Sequence, residues 1–493
     1  MTCVVRFRTL PLAALIWALL LAPATAQDAR AKEGWDMLRA SLTEAGFLVT
    51  SEGVANTDRG LEVRGLTIRS TEGADAVVLS MPTLGIEPRG ADAYAFIPGR
   101  DSQLELATGG EVVFQFDGEV VFAQGDDSLR LAPAFDMLEA TLRAPAGDDG
   151  EDRMTLSLGF VALSGEMTLG RGEVIDLTGE LHIDTMRVDQ NRMRGPSDDM
   201  EVYQRENAEI DNLVARIAIE RLNVITDGPS TLEDVFAGGF ALRMDYTSEA
   251  SRSFSQQFID GQQIRFEGSS GLASSDLTFA NGALTAHGSA ADFLLEGGLE
   301  GIEGSFAVEQ VVGGFEMPLL QSTEPRPFSL MLEIEGMSAS EESWALLGAQ
   351  AFAADSVDVA IEVAGEGRWL VDPSEADNVD VPIDFSVVRL ERLALRFGQA
   401  MFDGSGRFEP DPDAPSVAEG MPMGQGAFIF NLQGGEALLA RLASEGIVPP
   451  DQQFLAQMMM GALGRRVGED LLQSEVAILP GGQVTVNGLP LPF

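Results

Sequence analysis

The sequence contains very little cysteine, lysine or histidine, and each shortage removes a class of chemistry. The one cysteine, Cys3, lies in the first residues, and the one lysine is Lys32. Disulfides, zinc–thiolate sites and iron–sulfur clusters therefore lack their ligands. A Walker nucleotide-binding loop needs a lysine after its glycines, and no such loop surrounds Lys32. The sequence offers no thiol chemistry and no phosphate-binding loop of this kind.

Metal sites have equally few candidates. His182 is expected on the polar face of a strand and His287 after a hairpin turn, both exposed, and no carboxylate stands near them at ligand spacing. Two acidic clusters, Asp377-Asn378-Val379-Asp380 and Asp411-Pro412-Asp413, do not match the EF-hand spacing and are predicted to be solvated turns. We assign no metal ligand, no cofactor-binding residue and no catalytic residue.

Positive charge is also scarce, since Asp+Glu 77 against Lys+Arg 32 gives a net charge of −45. A polyanion cannot neutralise phosphates, which excludes a nucleic-acid partner. Gly404-Ser405-Gly406 misses the spacing of a hydrolase nucleophile elbow. An acid-dependent hydrolase of envelope carbohydrate stays open as the alternative function, because a glycosidase needs only two carboxyl groups about 5–10 Å apart.

The first 26 residues have the pattern of a signal peptide. Arg6 and Arg8 precede an apolar run over 10–22, and Ala24-Thr25-Ala26 forms a small-residue cleavage site. The run is shorter than the roughly 20 residues that span a membrane. We therefore predict export to the periplasm with cleavage after Ala26; the alternative is an uncleaved anchor.

After the signal-peptide pattern, the apolar residues recur with two different periods. Trp35, Leu38, Leu42 and Ala45 predict a helix over 34–46 that ends at Gly46. From Leu61 to about Ile183 the period is two, which predicts half-buried antiparallel strands. Within this series, 134–142 fits a short helix or a strand, and 146–152 is predicted to be a turn.

The polar stretch 189–212 is predicted to be a linker or a long loop. Beyond it, Thr231 is predicted to cap a short helix over 231–237. Asn281-Gly282 predicts a tight hairpin turn between two strands. Further strands are predicted at 293–295, 306–308, 328–334, 357–363, 383–388, 393–397, 402–408, 427–432 and 484–486.

Two helices are predicted near the C-terminus. Leu438, Leu439 and Leu442 mark one that ends at Gly446, and Pro449-Pro450-Asp451 starts the other. The second carries an apolar stripe of Phe454, Leu455, Met458, Met459, Ala462 and Leu463, which extends through Val467, Leu471 and Leu472 unless Gly461 or Gly464 breaks it. We interpret the cluster Met458–Met460 as helix core rather than as a lipid contact.

The order of these C-terminal segments carries a family resemblance. Met421-Pro422-Met423-Gly424-Gln425-Gly426 leads into a strand and the two helices, and Leu479-Pro480-Gly481-Gly482 precedes the closing strand. With the N-terminal helix and the segment 61–66, this arrangement resembles an alphaproteobacterial envelope family known as domain of unknown function 2125, and its pattern is similar to AsmA-like proteins. The resemblance implies a secreted, β-rich periplasmic protein. It implies no catalytic residues, and AsmA-like relatives are thought to handle lipid in long β-grooves.

We therefore expect an α+β fold, mainly antiparallel β, with large curved sheets that could form a β-groove, an N-terminal helix and a C-terminal helix pair. The expected domains are the signal peptide 1–26, a helix plus β-rich half over 27–190, a linker or loop over 191–212 and a β-rich half over 213–493. The alternative is one elongated unit over 27–493. The expected function is non-catalytic: a structural or binding role in the envelope, with a lipid or another envelope protein as partner and an apolar ligand in the groove.

Overall fold

The chain is mostly antiparallel β-strand, with few helices. The computed structural model describes residues 27–44, 46–70, 77–90, 92–106, 110–125, 127–143, 152–170, 172, 174–194, 201–226, 231–259, 262–299, 302–346, 348–371, 383–411 and 424–491. The predicted signal peptide, the clusters at 377–380 and 412–413 and most of the predicted turn 146–152 lie outside these residues. Two compact units are formed, Met1–Asn223 with Tyr246–Arg265 and Val224–Asp245 with Phe266–Phe493.

In its described residues, the first unit has a helix followed by strands. Its elements up to residue 220 are α1 (Gln27–Glu44), β1 (Phe47–Thr50), β2 (Gly53–Asn56), β3 (Leu61–Ser70), β4 (Val78–Pro88), β5 (Ala93–Pro98), β6 (Ser102–Glu105), β7 (Glu111–Gln124), β8 (Ser128–Arg143), β9 (Asp152–Gly170), β10 (Leu177–Arg194) and β11 (Glu201–Glu220). Strands β7 to β11 pair in sequence order, each antiparallel to the next.

Helix α1 closes the core of the first unit. Trp35, Leu38 and Leu42 are buried in one cluster with Val63 and Ile86 from β3 and β4. The backbone turns out of the helix at Gly46, whose φ of 85° favours glycine. The predicted helix is confirmed, although it begins earlier, at Gln27.

The predicted linker at 189–212 is wrong over its described residues. Residues 189–194 continue β10 and residues 201–212 belong to β11, and the two strands pair in register. Their charged side chains pair across strands; Arg187 Nε lies 2.8 Å from Glu209 Oε2. A dense run of charge therefore marks the polar face of two strands here, while Val188, Ala208 and Ile210 alternate with it. The segment 134–142, which the sequence left open, is strand β8.

Residues 223–270 contain two short helices and three strands, namely α2 (Asn223–Thr226), α3 (Leu232–Ala237), β12 (Ala241–Ser248), β13 (Ala250–Ile259) and β14 (Gln262–Ser270). Thr231 caps α3 as predicted, because its hydroxyl accepts a hydrogen bond from the Asp234 amide at 3.1 Å.

Replacing this cap should loosen α3. Thr231→Ala removes the acceptor for the Asp234 amide, a change that typically costs about 1 kcal/mol. We expect amide hydrogen exchange in α3 to accelerate about fivefold. Thr231→Ser keeps the hydroxyl and should leave exchange unchanged; equal acceleration in both variants would contradict the capping role.

The remaining elements belong to the second unit. They are β15 (Ala273–Ala280), β16 (Ala283–Leu299), β17 (Ile302–Pro318), β18 (Arg326–Ala339), α4 (Glu341–Leu346), a 3-10 turn (Gln350–Phe352), β19 (Val357–Trp369), β20 (Ile383–Phe397), β21 (Ala400–Pro410), β22 (Gly424–Gln433), α5 (Gly435–Ser444), α6 (Pro450–Leu463), β23 (Arg465–Gly468), β24 (Leu471–Ile478), β25 (Val484–Val486) and β26 (Leu489–Pro490). The predicted strands are confirmed, except that 383–388 and 393–397 form the one strand β20. The Asn281-Gly282 hairpin is also confirmed, and its two residues have φ of 54° and 74°.

The C-terminal helix pair is confirmed, but its second member is shorter than the longest prediction. Helix α6 ends at Leu463, and Gly464 adopts an extended conformation. Leu471 and Leu472 belong to β24, which pairs with β22. The stripe therefore does not continue beyond α6. None of the described helices is both long and apolar enough to cross a membrane.

Candidate functional site: an open apolar sheet face

The strands of the second unit place apolar side chains in rows on one side of the sheet. Alternate residues of a strand point to the same side, so cross-strand partners form continuous rows. One row crosses ten strands through Leu277, Ala286, Phe315, Leu330, Val363, Leu390, Gly406, Phe428, Val476 and Val486. We call this the central row.

Three neighbouring rows complete the surface, and none contains a charged residue. They consist of Ala273, Ala290, Val311, Ile334, Val359, Leu395, Phe402, Leu432 and Leu472; of Ser275, Gly288, Gly313, Leu332, Ile361, Leu393, Gly404, Phe430 and Ser474; and of Phe328, Gly365, Val388, Phe408, Gly426, Ile478 and Val484. The four rows together are the apolar face.

Much of the apolar face is accessible to solvent. Leu330 is 53% exposed, Leu395 43% and Phe315 37%. Among its large side chains in the described residues, only Leu472 and Val486 are buried. The clusters of buried apolar side chains that join strands into a closed core belong to the first unit. The apolar face is therefore an exposed hydrophobic surface, which soluble proteins seldom keep without a binding role.

The other side of the same sheet is charged. Arg396 lies 3.1 Å from Asp358, Arg392 lies 3.5 Å from Glu362 and also pairs with Glu333. Exposed ion pairs of this kind contribute little stability. They show instead that the charged residues of these strands lie on the side opposite the apolar face.

Glycines and phenylalanines alternate across part of the apolar face. Gly404 and Gly406 on β21 stand opposite Phe430 and Phe428 on β22. A Cβ atom at Gly404 would lie 2.2 Å from Cδ1 of Phe430, and one at Gly406 equally close to Cδ1 of Phe428. The two rings stack with centroids 6.2 Å apart. The rings thus lie over the glycine backbone and present a smooth aromatic surface. In the sequence, the signal for this packing is a pair of glycines two residues apart in one strand and a pair of phenylalanines at the same spacing in the next strand.

The two histidines are exposed, as predicted, and they belong to different units. His182 Nε2 lies 2.6 Å from Glu180 Oε1 on β10, and His287 Nδ1 lies 3.1 Å from Asp276 Oδ2 in the second unit. The hydrogen bond with Arg216 lowers the pKa of Glu180 most, and the hydrogen bond with His182 lowers it further. A lowered pKa is the opposite of what a general acid needs at neutral pH.

Polar side chains are buried at few places. Among the described side chains the buried polar residues are Ser41, Ser102 and Ser248, and the buried Oδ2 atom of Asp355 lies 2.6 Å from Nη1 of Arg441. The same residues contain no group of three or more His, Cys, Asp or Glu placed to hold a metal ion. The feature that these residues do offer is the apolar face, whose chemistry is suited to holding hydrocarbon.

No protein-family model matches the chain, and no curated protein matches it either.

Proposed function

We propose that the protein is an exported, non-catalytic component of the bacterial periplasm that holds lipid acyl chains on its apolar face. The observation that carries the proposal is the central row, because ten strands contribute to it without one charged or hydrogen-bonding side chain. The signal-peptide pattern of the first 26 residues supports export. The segment order of the helix pair supports membership in the envelope family that the sequence resembles.

The dimensions of the row suit acyl chains. Adjacent strands lie about 4.8 Å apart, so nine intervals extend about 43 Å along the sheet. One leaflet of a bilayer is about 15 Å thick in its hydrocarbon region. The central row is long enough for several acyl chains in succession, and the aromatic surface over Gly404 and Gly406 offers flat contacts without polar groups.

The affinity would come from removing apolar area from water. Covering a fully exposed large side chain contributes about 1.5–3 kcal/mol, and covering a half-exposed one contributes about half of that. Leu330, Leu395 and Phe315 have this surface available. Because the face contains no charged group, it would bind the hydrocarbon part of a lipid and leave the headgroup to solvent.

Native mass spectrometry of the protein purified from periplasm tests the proposal. We expect mass adducts that correspond to phospholipid or fatty acid, which disappear after extraction with organic solvent and return when lysophospholipid is added. Absence of adducts both before and after the addition would overturn lipid binding. Recovery of the protein only in the cytoplasm, with residues 1–26 still attached, would overturn export.

A further inference from the structure

Helix α6 presents large apolar side chains to solvent. Phe454 is 64% exposed, and Leu455, Met458 and Met459 are 52% exposed each. The interpretation of the methionine cluster as helix core is therefore wrong for Met458 and Met459. At 100° per residue, the arc from Phe454 to Met459 covers about 140° of the helix. This arc is wider than the narrow seam by which one helix packs along another.

The charge distribution around α6 is unusual for this chain. The protein carries a net charge of −45, yet Asp451 is the one charged residue among the 14 of α6. Two exposed arginines follow directly on β23: Arg466 forms an ion pair with Glu436, whereas Arg465 donates a hydrogen bond to the neutral side chain of Gln473 at 3.2 Å. An apolar helix with an exposed arginine such as Arg465 at one end complements a lipid surface, where acyl chains lie next to anionic phosphates.

Helix α6 is attached where the apolar face ends. The Leu463 carbonyl accepts hydrogen bonds from the Ser474 hydroxyl at 2.7 Å and from the Asn487 side-chain amide at 2.8 Å. Gly464 packs against Leu472, the last residue of one row of the apolar face. The exposed apolar surface of α6 therefore adjoins the strands β24 and β25 that complete this face.

We propose that α6 docks the protein on a bilayer surface, with Phe454, Leu455, Met458 and Met459 inserted among the acyl chains and Arg465 near the phosphates. Methionine side chains are flexible and polarisable, which suits contact with a fluid surface. The contact with the bilayer is inferred from α6 itself. Only the purpose of the docking, which is the loading or release of lipid at the apolar face, rests on the proposed function.

Flotation with vesicles of phosphatidylethanolamine and phosphatidylglycerol tests the docking. We expect the mature protein purified from periplasm to float with the vesicles and the double variant Phe454→Ser/Met458→Ser to lose about a hundredfold in partitioning, since each side chain no longer transfers its apolar surface. Leu346→Ser is the matched control, because Leu346 is 62% exposed on α4 and should not contact the bilayer.

A second variant separates the charge from the apolar contact. Arg465→Gln should weaken partitioning about fivefold on vesicles that contain phosphatidylglycerol and leave it unchanged on vesicles of phosphatidylcholine alone. Equal flotation of the wild type and the double variant would overturn the proposal. So would a dimer in light scattering that the double variant converts to monomer while neither protein floats, because α6 would then bind a second copy.

The two proposals fail in different ways. The double variant should still show lipid adducts in native mass spectrometry after lysophospholipid is added in solution. Flotation without adducts would overturn lipid holding and leave docking in place, and adducts without flotation would do the reverse.

Discussion

Leu330→Glu is expected to abolish lipid retention while the protein stays folded. Leu330 lies near the middle of the central row, between Phe315 and Val363 on the neighbouring strands. Because Leu330 is 53% exposed, losing its burial against acyl chains costs about half of the value for a fully exposed leucine, about 0.8–1.5 kcal/mol, and a carboxylate buried under acyl chains adds about 1–3 kcal/mol. Since each 1.4 kcal/mol is a factor of ten, lipid affinity should fall about a hundredfold.

The fold should tolerate this change, because the side chain is 53% exposed without ligand and the carboxylate can reach water. Met401→Glu is the matched control. Met401 is 36% exposed on the charged side of the same sheet, where its cross-strand partners are Arg396 and Gln433. We expect lipid adducts of the control to equal those of the wild type in native mass spectrometry. Wild-type retention in Leu330→Glu, with an unchanged circular dichroism spectrum, would show that the apolar face is not the binding surface.

Gly404→Ala should destabilise the second unit by about 1–3 kcal/mol, as overpacking commonly does. The new methyl group would occupy the space of the Phe430 ring, 2.2 Å from its Cδ1 atom, so the ring must leave the backbone of β21. Displacement of Phe430 also disturbs its stacking with Phe402, whose ring centroid is 5.7 Å away. Denaturant unfolding measures the loss.

A control and a double-mutant cycle isolate the cause of this loss. Gly313 lies in the same row as Gly404, but a Cβ atom there meets nothing closer than the Met331 carbonyl oxygen at 3.8 Å. Gly313→Ala should change stability by less than about 0.5 kcal/mol. If the ring is the obstacle, Gly404→Ala should cost much less in a Phe430→Ala background. The same cost with and without the ring would mean that the destabilisation arises in the β21 backbone.

Most elements could be predicted from local patterns. The alternation of strands β16 to β22, the Asn281-Gly282 turn and the Thr231 cap each depend on residues close in sequence, and their geometry follows from those residues alone. The prediction failed at 189–212 because polarity was taken as evidence for a loop. In an antiparallel pair, a run of charge is equally compatible with strands when Arg187 and Glu209 can face each other across the ladder.

The C-terminal helices show a second reason for failure. The stripe of α6 was correctly placed on a helix, but an apolar stripe does not reveal whether another element covers it. Similarly, Gly404-Ser405-Gly406 could be judged in sequence only as a poor match to a nucleophile elbow. Its packing partners, Phe428 and Phe430, come from the next strand, and the register between β21 and β22 brings them together.

The sequence by itself determined the class of this protein: a strongly acidic, cysteine-poor chain of alternating strands with a helix at one end and two near the other. These features depend on composition and on periods of two or 3.6 residues, which are local. The tertiary structure decided which apolar surfaces remain open. Helix α1 covers its strands in the first unit, whereas the apolar face and α6 in the second keep their side chains in solvent. Whether an apolar surface is covered depends on contacts between residues far apart in the chain, so it cannot be predicted from a local hydrophobic period.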